Sequence, residues 1–259
     1  MKRSIIILTA FVLFFYLWHD SMLVRHIGGF VHHSLTAHYT LNYLLSGIVL
    51  FLAALLLHKL RDLPTAFGLS GNIPRAALFA LLCTAPMFIG YAIVGKFATD
   101  HSIDHFVCRI LIAALFEELV FRGFVFGQLF RNAGWGFLPA TLLPAVVFGA
   151  LHLCQGHDAA TATAAFGVTA AGSIFFSWIY VEWNYNLWYA ICLHTLMNAP
   201  WILFVVGDSG TAGNVVANIL RICTILIAIG LTIRHKRRNA LPYCITRNNL
   251  LINKNIQWK

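Results

Sequence analysis

Long apolar runs separated by short polar segments dominate the chain. The runs lie near residues 4–18, 41–58, 76–95, 107–130, 138–153, 159–181, 186–205 and 214–233. Most are long enough, at about 1.5 Å of helix per residue, to cross the hydrocarbon core of a bilayer. Proline, glycine and clustered polar residues occupy the breaks between them. The pattern predicts an all-α polytopic membrane protein, a bundle of about eight transmembrane helices.

The composition supports this prediction. Apolar residues make up 59% of the chain, charged residues make up 10%, and the mean hydropathy is +0.77, whereas soluble domains are about 25% charged. No long polar segment interrupts the runs. We therefore expect one integral-membrane domain over residues 1–259.

The first run, which follows Lys2 and Arg3, also has the basic start and apolar length of a signal peptide. No small-x-small cleavage site follows it, and Trp18, His19 and Asp20 are typical of a membrane interface. We interpret the run as a short first span.

The net charge of +9 could indicate nucleic-acid binding, but the basic residues lie in loops and near the C-terminus without interleaved aromatic residues. Their placement instead predicts topology, because cytoplasmic loops are enriched in Lys and Arg. Both termini are expected to be cytoplasmic, in the cell inner membrane if the source is bacterial, with residues 234–259 as a basic cytoplasmic tail. Arg25 and Lys96 are the exceptions to this pattern.

Six cysteines lie mostly inside apolar runs and never in a CxxC pair: Cys83, Cys108, Cys154, Cys192, Cys223 and Cys244. This spacing is typical of small buried side chains, not of a disulfide framework or a thiolate zinc site.

Three charged residues, Glu117, Glu118 and Arg122, lie at the centre of the fourth run. Each would cost about 2.5–3.5 kcal/mol at the centre of a bilayer, so they are expected to face the bundle interior. Glu118 and Arg122 are spaced i, i+4 and can pair, whereas Glu117 is rotated from Glu118 by about 100°. The pattern predicts one neutralised and one free carboxylate. A purely structural charge network is the alternative.

Two further motifs place polar side chains on one helix face. Phe148 and His152 are spaced i, i+4 near the end of the fifth run, and His194 and Asn198 have the same spacing in the seventh. Alone, His152 could be an interfacial residue, and His194 with Asn198 could be a helix–helix hydrogen-bonding pair. Together, one free Glu, two His and an Asn on three spans could form one polar pocket.

These residues match, in order, the three motifs EExxxR, FxxxH and HxxxN, within residues 117–198. The chain therefore resembles the CPBP family, the CAAX-protease and bacteriocin-processing intramembrane proteases, also called Abi. The resemblance implies intramembrane peptide-bond hydrolysis. It implies that Glu117 and His152 activate a water, that His194 and Asn198 stabilise the oxyanion, and that Glu118, Arg122 and Phe148 support the site. The GDSG sequence at 207–210 has no suitably placed partners, and we interpret it as coincidental.

The resemblance leaves the cofactor open. Members of the family are often called metalloproteases, and zinc could be held by Glu117, His152 and His194 with water as a fourth ligand. A metal-free glutamate mechanism uses the same residues. We favour a site with no cofactor, since no HExxH helix is present.

The expected partners are the lipid bilayer and a peptide or protein substrate, with no nucleic acid. Leader-peptide trimming, bacteriocin immunity and processing of a membrane protein all remain open. Two alternatives come from other functional classes. One is an ion- or proton-coupled transporter, and the other is a non-catalytic immunity or scaffold protein that keeps the fold.

Overall fold

The computed structural model describes residues 1–19, 33–99, 102–205 and 213–254. Its main helices occupy the eight predicted positions. They are α1 Lys2–His19, α2 Leu35–Leu57, α3 Ile73–Val94, α4 over residues 103–132, α5 Phe137–Leu151, α6 Ala159–Glu182, α7 Leu187–Leu203 and α8 Val215–Arg238. The prediction of an all-α polytopic fold is confirmed. Arg25 and the GDSG sequence at 207–210 lie outside the described residues.

Six helical segments in the described residues are long and apolar enough to cross a membrane. They are α1, α2, α3, α5 with the turn that follows it, α6 and α8. The two other predicted spans depart from a regular long helix: α4 alternates between α and π geometry, and α7 has 17 residues.

Shorter elements join the helices. A 3-10 turn, Leu60–Asp62, and a short helix, Leu63–Ala66, lie between α2 and α3, and further 3-10 turns cover Leu153–Gln155 and Arg247–Asn249. Strand β1, Lys96–Phe97, pairs antiparallel with β2, Phe204–Val205. This pairing ties the end of α3 to the end of α7.

Helix starts follow local sequence chemistry. The side chains of Ser34, Asn72, Asn186 and Asn214 accept hydrogen bonds from backbone N–H groups in the first turns of α2, α3, α7 and α8. Those N–H groups have no partner inside their own helices, so a side-chain acceptor fixes where each helix begins. The Asn186 cap therefore sets where α7, which carries His194 and Asn198, begins.

Helix α4 is the centre of the bundle. It is α-helical at Ile103–Phe106, Ala113–Glu118 and Gly127–Asn132, and π-helical at Val107–Ile112 and Leu119–Phe126. Every residue from 120 to 130 is buried, as expected for a helix surrounded on all sides. Short π segments are frequent at functional sites, and here they flank the turn that carries Glu117 and Glu118.

Aromatic side chains pack the neighbouring helices against α4. The ring of Phe121 lies 5.8 Å from Phe11 in α1 and 4.9 Å from Phe148 in α5, both edge to face. Such contacts add about 0.5–1.5 kcal/mol to the burial of each ring. Helix α1 is thus an integral part of the bundle, as expected for a first span.

Basic residues collect at one end of the bundle, which we call the basic end. Arg3 donates to the carbonyl of Asn132 and Trp135 donates to Ser4, so the start of α1 lies beside the α4–α5 turn. The loop before α3 and the end of α8 lie at the same end. Lys96, Arg109 and Arg221 lie toward the other end, near the end of α3 and the starts of α4 and α8. The expected cytoplasmic orientation of the basic end stays a prediction.

The C-terminal segment folds back over the basic end. Residues 234–238 are the last turn of α8, so the expected tail begins only after them. The carboxylate of Glu182 contacts Lys236 Nζ and accepts hydrogen bonds from the backbone N–H groups of Cys244 and Ile245. Further along, Gly136 donates to the carbonyl of Leu251. Residues 239–254 therefore pack against the bundle.

Candidate active site

Glu118 and Arg122 form a buried ion pair in α4. Nη1 of Arg122 lies 2.9 Å from Oε1 of Glu118, and the two side chains are 1% and 0% exposed. The pairing expected from the i, i+4 spacing is thus present. A charge this deeply buried is tolerated only when it is paired, so each member depends on the other.

Two aromatic rings enclose the guanidinium group of Arg122. Its Cζ atom lies 5.2 Å from the ring centre of Phe148 in α5 and 5.3 Å from that of Phe176 in α6. Cation–π attraction of this kind contributes about 2 kcal/mol or more when it is desolvated. Phe148 thus connects the FxxxH and EExxxR motifs, because its ring packs on the arginine that neutralises Glu118.

His194, from α7, joins the buried pair. Its Nδ1 atom lies 2.7 Å from Oε1 of Glu118, and its Nε2 atom lies 3.8 Å from Oε2 of Glu117. Oε1 of Glu118 already accepts from Arg122, so it acts as an acceptor and Nδ1 of His194 carries the hydrogen. The ring of Phe176 stacks on His194 at 5.2 Å. The imidazole is held on both its edge and its face, with Nε2 directed toward Glu117.

Glu117 is the free carboxylate of the site. Its side chain is 21% exposed, in contrast to the fully buried Glu118, as expected from the 100° rotation between neighbouring helix positions. Both His194 and His152 are within electrostatic reach of it. Helices α5 and α7 therefore each bring a histidine within electrostatic reach of Glu117.

His152 caps the C-terminal end of α5. Its Nδ1 atom lies 2.7 Å from the carbonyl oxygen of Phe148, and its ring lies 4.6 Å from the Phe148 ring. A carbonyl can only accept, so Nδ1 is the donor and a neutral His152 has a lone pair on Nε2. This nitrogen is suited to hold or accept a proton from water.

Gly149 allows α5 to approach α6 closely enough to position His152. A Cβ atom at this position would lie 2.8 Å from the ring of Phe166 and 3.0 Å from its carbonyl oxygen. Beyond His152, Asp158 caps α6 and accepts from Thr161, and these hydrogen bonds hold the pKa of the Asp158 carboxyl below its usual range. The segment that carries His152 is thus fixed at both ends.

Asn198 lies one turn beyond His194 on α7. Its side-chain amide donates to the carbonyl of Arg109, in the first π segment of α4, at 3.3 Å. Helices α7 and α4 are therefore joined at two levels, by His194 to Glu118 and by Asn198 to Arg109. The HxxxN motif predicts neither Glu118 as the partner of His194 nor Arg109 as the partner of Asn198.

Two aromatic residues of the site were not predicted from the sequence. Phe176 contacts both Arg122 and His194, and Tyr43 in α2 stacks on Phe116 with ring centres 4.7 Å apart and an interplanar angle of 3°. Phe116 is the residue before Glu117, and Tyr43 is within electrostatic reach of that carboxylate. Both lie in largely apolar runs, where no spacing signal separates them from ordinary core residues.

The predicted zinc ligands do not assemble into a metal site. Among the residues that the structure describes, no group of three or more His, Cys, Asp or Glu side chains is placed to hold a metal ion. Nε2 of His194 and Oε2 of Glu117 are separated by 3.8 Å. The described residues thus supply no three-ligand metal site, and the favoured metal-free mechanism stays a prediction.

Comparison with known proteins agrees with the motif assignment. The family model for type II CAAX prenyl endopeptidase Rce1-like proteins matches residues 100–200, which include all three motifs. No curated protein and no solved structure matches the chain. The match confirms the resemblance to the CPBP family and supports a CAAX-type intramembrane protease activity in general.

Proposed function

Since residues 100–200 are of the Rce1-like type within the CPBP family, we propose that this protein is an intramembrane endopeptidase. It would hydrolyse a peptide bond of a membrane-associated or exported peptide. One observation carries the proposal: the partly exposed Glu117 carboxylate lies beside a buried network built from residues of all three motifs. A structural ion-pair network would need Glu118, Arg122 and His194, but not the additional free carboxylate.

Glu117 is the general base of the proposed reaction. It takes a proton from water as the water oxygen adds to the carbonyl carbon of the substrate, and later gives that proton to the leaving amine when the C–N bond breaks. His152 orients the water through the lone pair on Nε2. A positioned base of this kind contributes about 10²- to 10⁴-fold to the rate.

His194 and Asn198 are the proposed oxyanion donors. In this role the His194 ring carries hydrogens on both nitrogens, with Nδ1–H donating to Glu118 and Nε2–H directed at the developing negative charge. The amide of Asn198 has two N–H groups, one of which donates to the carbonyl of Arg109. The second N–H is available to the oxyanion. Fixed donors need little reorganisation during the reaction, which is the basis of their effect.

Glu118 and Arg122 act through the residues that they hold. The Glu118 carboxylate accepts from Nδ1–H of His194 and fixes the orientation of the ring, and Arg122 supplies the positive charge that allows Glu118 to remain ionised inside the bundle. Phe148 and Phe176 restrict the guanidinium group. These four residues are positioning residues in the proposed mechanism, whereas Glu117, His152, His194 and Asn198 would contact the reacting atoms.

Isotope incorporation tests the proposal. The full chain, reconstituted in liposomes, is incubated with a pool of lipid-anchored and hydrophobic peptides in water enriched in oxygen-18, and the products are analysed by mass spectrometry. Hydrolysis predicts new C-termini that carry one heavy oxygen, absent with Glu117→Gln protein. Unchanged peptides, accompanied by proton flux across the same liposomes that depends on Glu117, would favour the transporter alternative instead.

A further inference from the structure

A second site lies away from the catalytic residues, at the basic end. It is a cavity of about 1040 Å³ between α3, the α6–α7 turn and α8. Leu78 and Leu82 in α3 and Leu231 in α8 form its apolar part, and arginine side chains from α3, α4 and α8 also line it. Apolar and cationic surfaces therefore meet in a single cavity.

The charged residues that line the cavity are all basic. Arg75, Arg131, Arg234 and Arg238 contribute to the lining, and no lining residue is acidic. Arg131 is engaged, since it donates to the carbonyl of Ala66 and lies 4.5 Å from the ring centre of Tyr185. Within the described parts of the chain, the side chains of Arg75, Arg234 and Arg238 form no ion pair. Three exposed cations thus lack a protein counter-charge.

An aromatic stack forms the back of the cavity. The ring of Trp183 stacks on Tyr189 at 4.0 Å and on His235 at 4.5 Å, and its Nε1–H donates to Thr232. Tryptophan and tyrosine are enriched where a membrane meets water, at the depth of lipid headgroups. The stack indicates that this cavity lies at headgroup depth.

We propose that the cavity binds the phosphate-bearing headgroup of an anionic glycerophospholipid. Basic pockets between transmembrane helices bind such headgroups, and arginine matches phosphate oxygens with two parallel hydrogen bonds. A soluble phosphate compound would need only the cationic side of the cavity. Leu78 and Leu82 are 58% and 54% exposed on a membrane-spanning helix, and they provide the apolar path that acyl chains would follow.

The bound lipid would join α3 to α8. Arg75 lies in the first turn of α3, whereas Arg234 and Arg238 lie in the last turns of α8. A phosphate between them would draw the ends of the two helices together. Neither helix carries a residue of the active site, so this inference stands independently of the proposed protease activity.

Native mass spectrometry of the full chain in a neutral detergent tests the proposal. Phosphatidylglycerol is titrated against phosphatidylcholine of the same acyl chains, and the expected result is one bound phosphatidylglycerol at concentrations where phosphatidylcholine does not bind. Inorganic phosphate and glycerol 3-phosphate are added in parallel as soluble competitors. Saturable binding of these soluble compounds with equal apparent affinity would overturn the lipid assignment.

The arginine variants identify the site. Removing one Lys or Arg near a membrane surface lowers lipid affinity by roughly fivefold, so the double variant Arg234→Gln, Arg238→Gln should bind about 30-fold more weakly. Arg75→Gln, on a different helix, should lose about fivefold. Arg237→Gln is the matched control, because Arg237 is exposed in the same turn of α8 but does not line the cavity. An equal loss in Arg237→Gln would show that general surface charge, not the cavity, binds the lipid.

Discussion

Nδ1 of His194 lies 2.7 Å from Oε1 of Glu118, across 76 residues of sequence. This contact joins the first and third motifs and turns Nε2 of the same ring toward Glu117. In the proposed mechanism it gives the two consecutive glutamates different roles. Glu118 accepts from His194 and pairs with Arg122. The more exposed Glu117 is therefore available as the proposed base.

Arg122→Ala is expected to destabilise the protein. The substitution leaves the Glu118 carboxylate buried without its partner, which typically costs about 3–5 kcal/mol, and it also empties the space between Phe148 and Phe176. The free energy of unfolding, measured by denaturant titration in detergent, should fall by that amount. Arg122→Lys keeps the charge without the planar group and should lose less. An Arg122→Ala protein as stable as the parent would contradict the role of the pair.

Asn198→Ala should slow the reaction without abolishing it. Removal of one oxyanion donor costs about 10² to 10³ in kcat, and KM should change little because the interaction forms mainly in the transition state. Asn198→Asp provides the control, since a carboxylate has a similar size but no N–H to donate. If the kcat values of both variants equalled that of the parent, Asn198 would serve only to bond the carbonyl of Arg109.

Gly149→Ala should reduce both stability and activity. The new methyl group would meet the ring and the backbone of Phe166, and such overpacking costs about 1–3 kcal/mol. Gly167 in α6 is the matched control, because a Cβ there has no atom within 4 Å. Gly167→Ala should be neutral or stabilising by about 0.5–1 kcal/mol, the usual gain for alanine in a helix. Thermal unfolding of both variants in detergent distinguishes these outcomes, and equal behaviour would refute the close-packing argument.

Lys236→Met should release the C-terminal segment. The side chains of Lys236 and Glu182 are 4% and 1% exposed, so loss of the lysine leaves the Glu182 carboxylate buried without its counter-charge. The same carboxylate accepts hydrogen bonds from the N–H groups of Cys244 and Ile245. Limited proteolysis should cut residues 239–254 faster than in the parent. The double variant Glu182→Gln, Lys236→Met removes both charges and should recover part of the protection. Unchanged cleavage rates in the single variant would argue against this attachment.

The sequence was sufficient to predict much of this architecture. Apolar runs locate helices because backbone polar groups in a membrane must be satisfied within each helix, and all eight runs are helical. The pairing of Glu118 with Arg122 also followed from local spacing. In both cases the relevant interaction lies within a few residues along the chain.

Other features depend on packing between distant segments. Phe176 and Tyr43 look like ordinary apolar positions, and only the bundle shows that they contact Arg122 and Phe116. The π segments of α4 have no recognised sequence signature here. The packing of residues 239–254 against the bundle is not visible in the sequence for a similar reason, because Lys236 on α8 pairs with Glu182 on α6, 54 residues earlier in the numbering.

The central claim is that Glu117 is the base, and Glu117→Gln tests it most directly. Glutamine keeps the size and hydrogen-bonding capacity of the side chain but cannot accept the proton from water. We predict that the variant folds with the stability of the parent and binds peptide substrate with unchanged affinity, while cleavage falls to the uncatalysed background. The measurement is single-turnover cleavage of a bound peptide in liposomes, compared between the parent and Glu117→Gln. Cleavage at the parental rate by a folded Glu117→Gln protein would contradict the account.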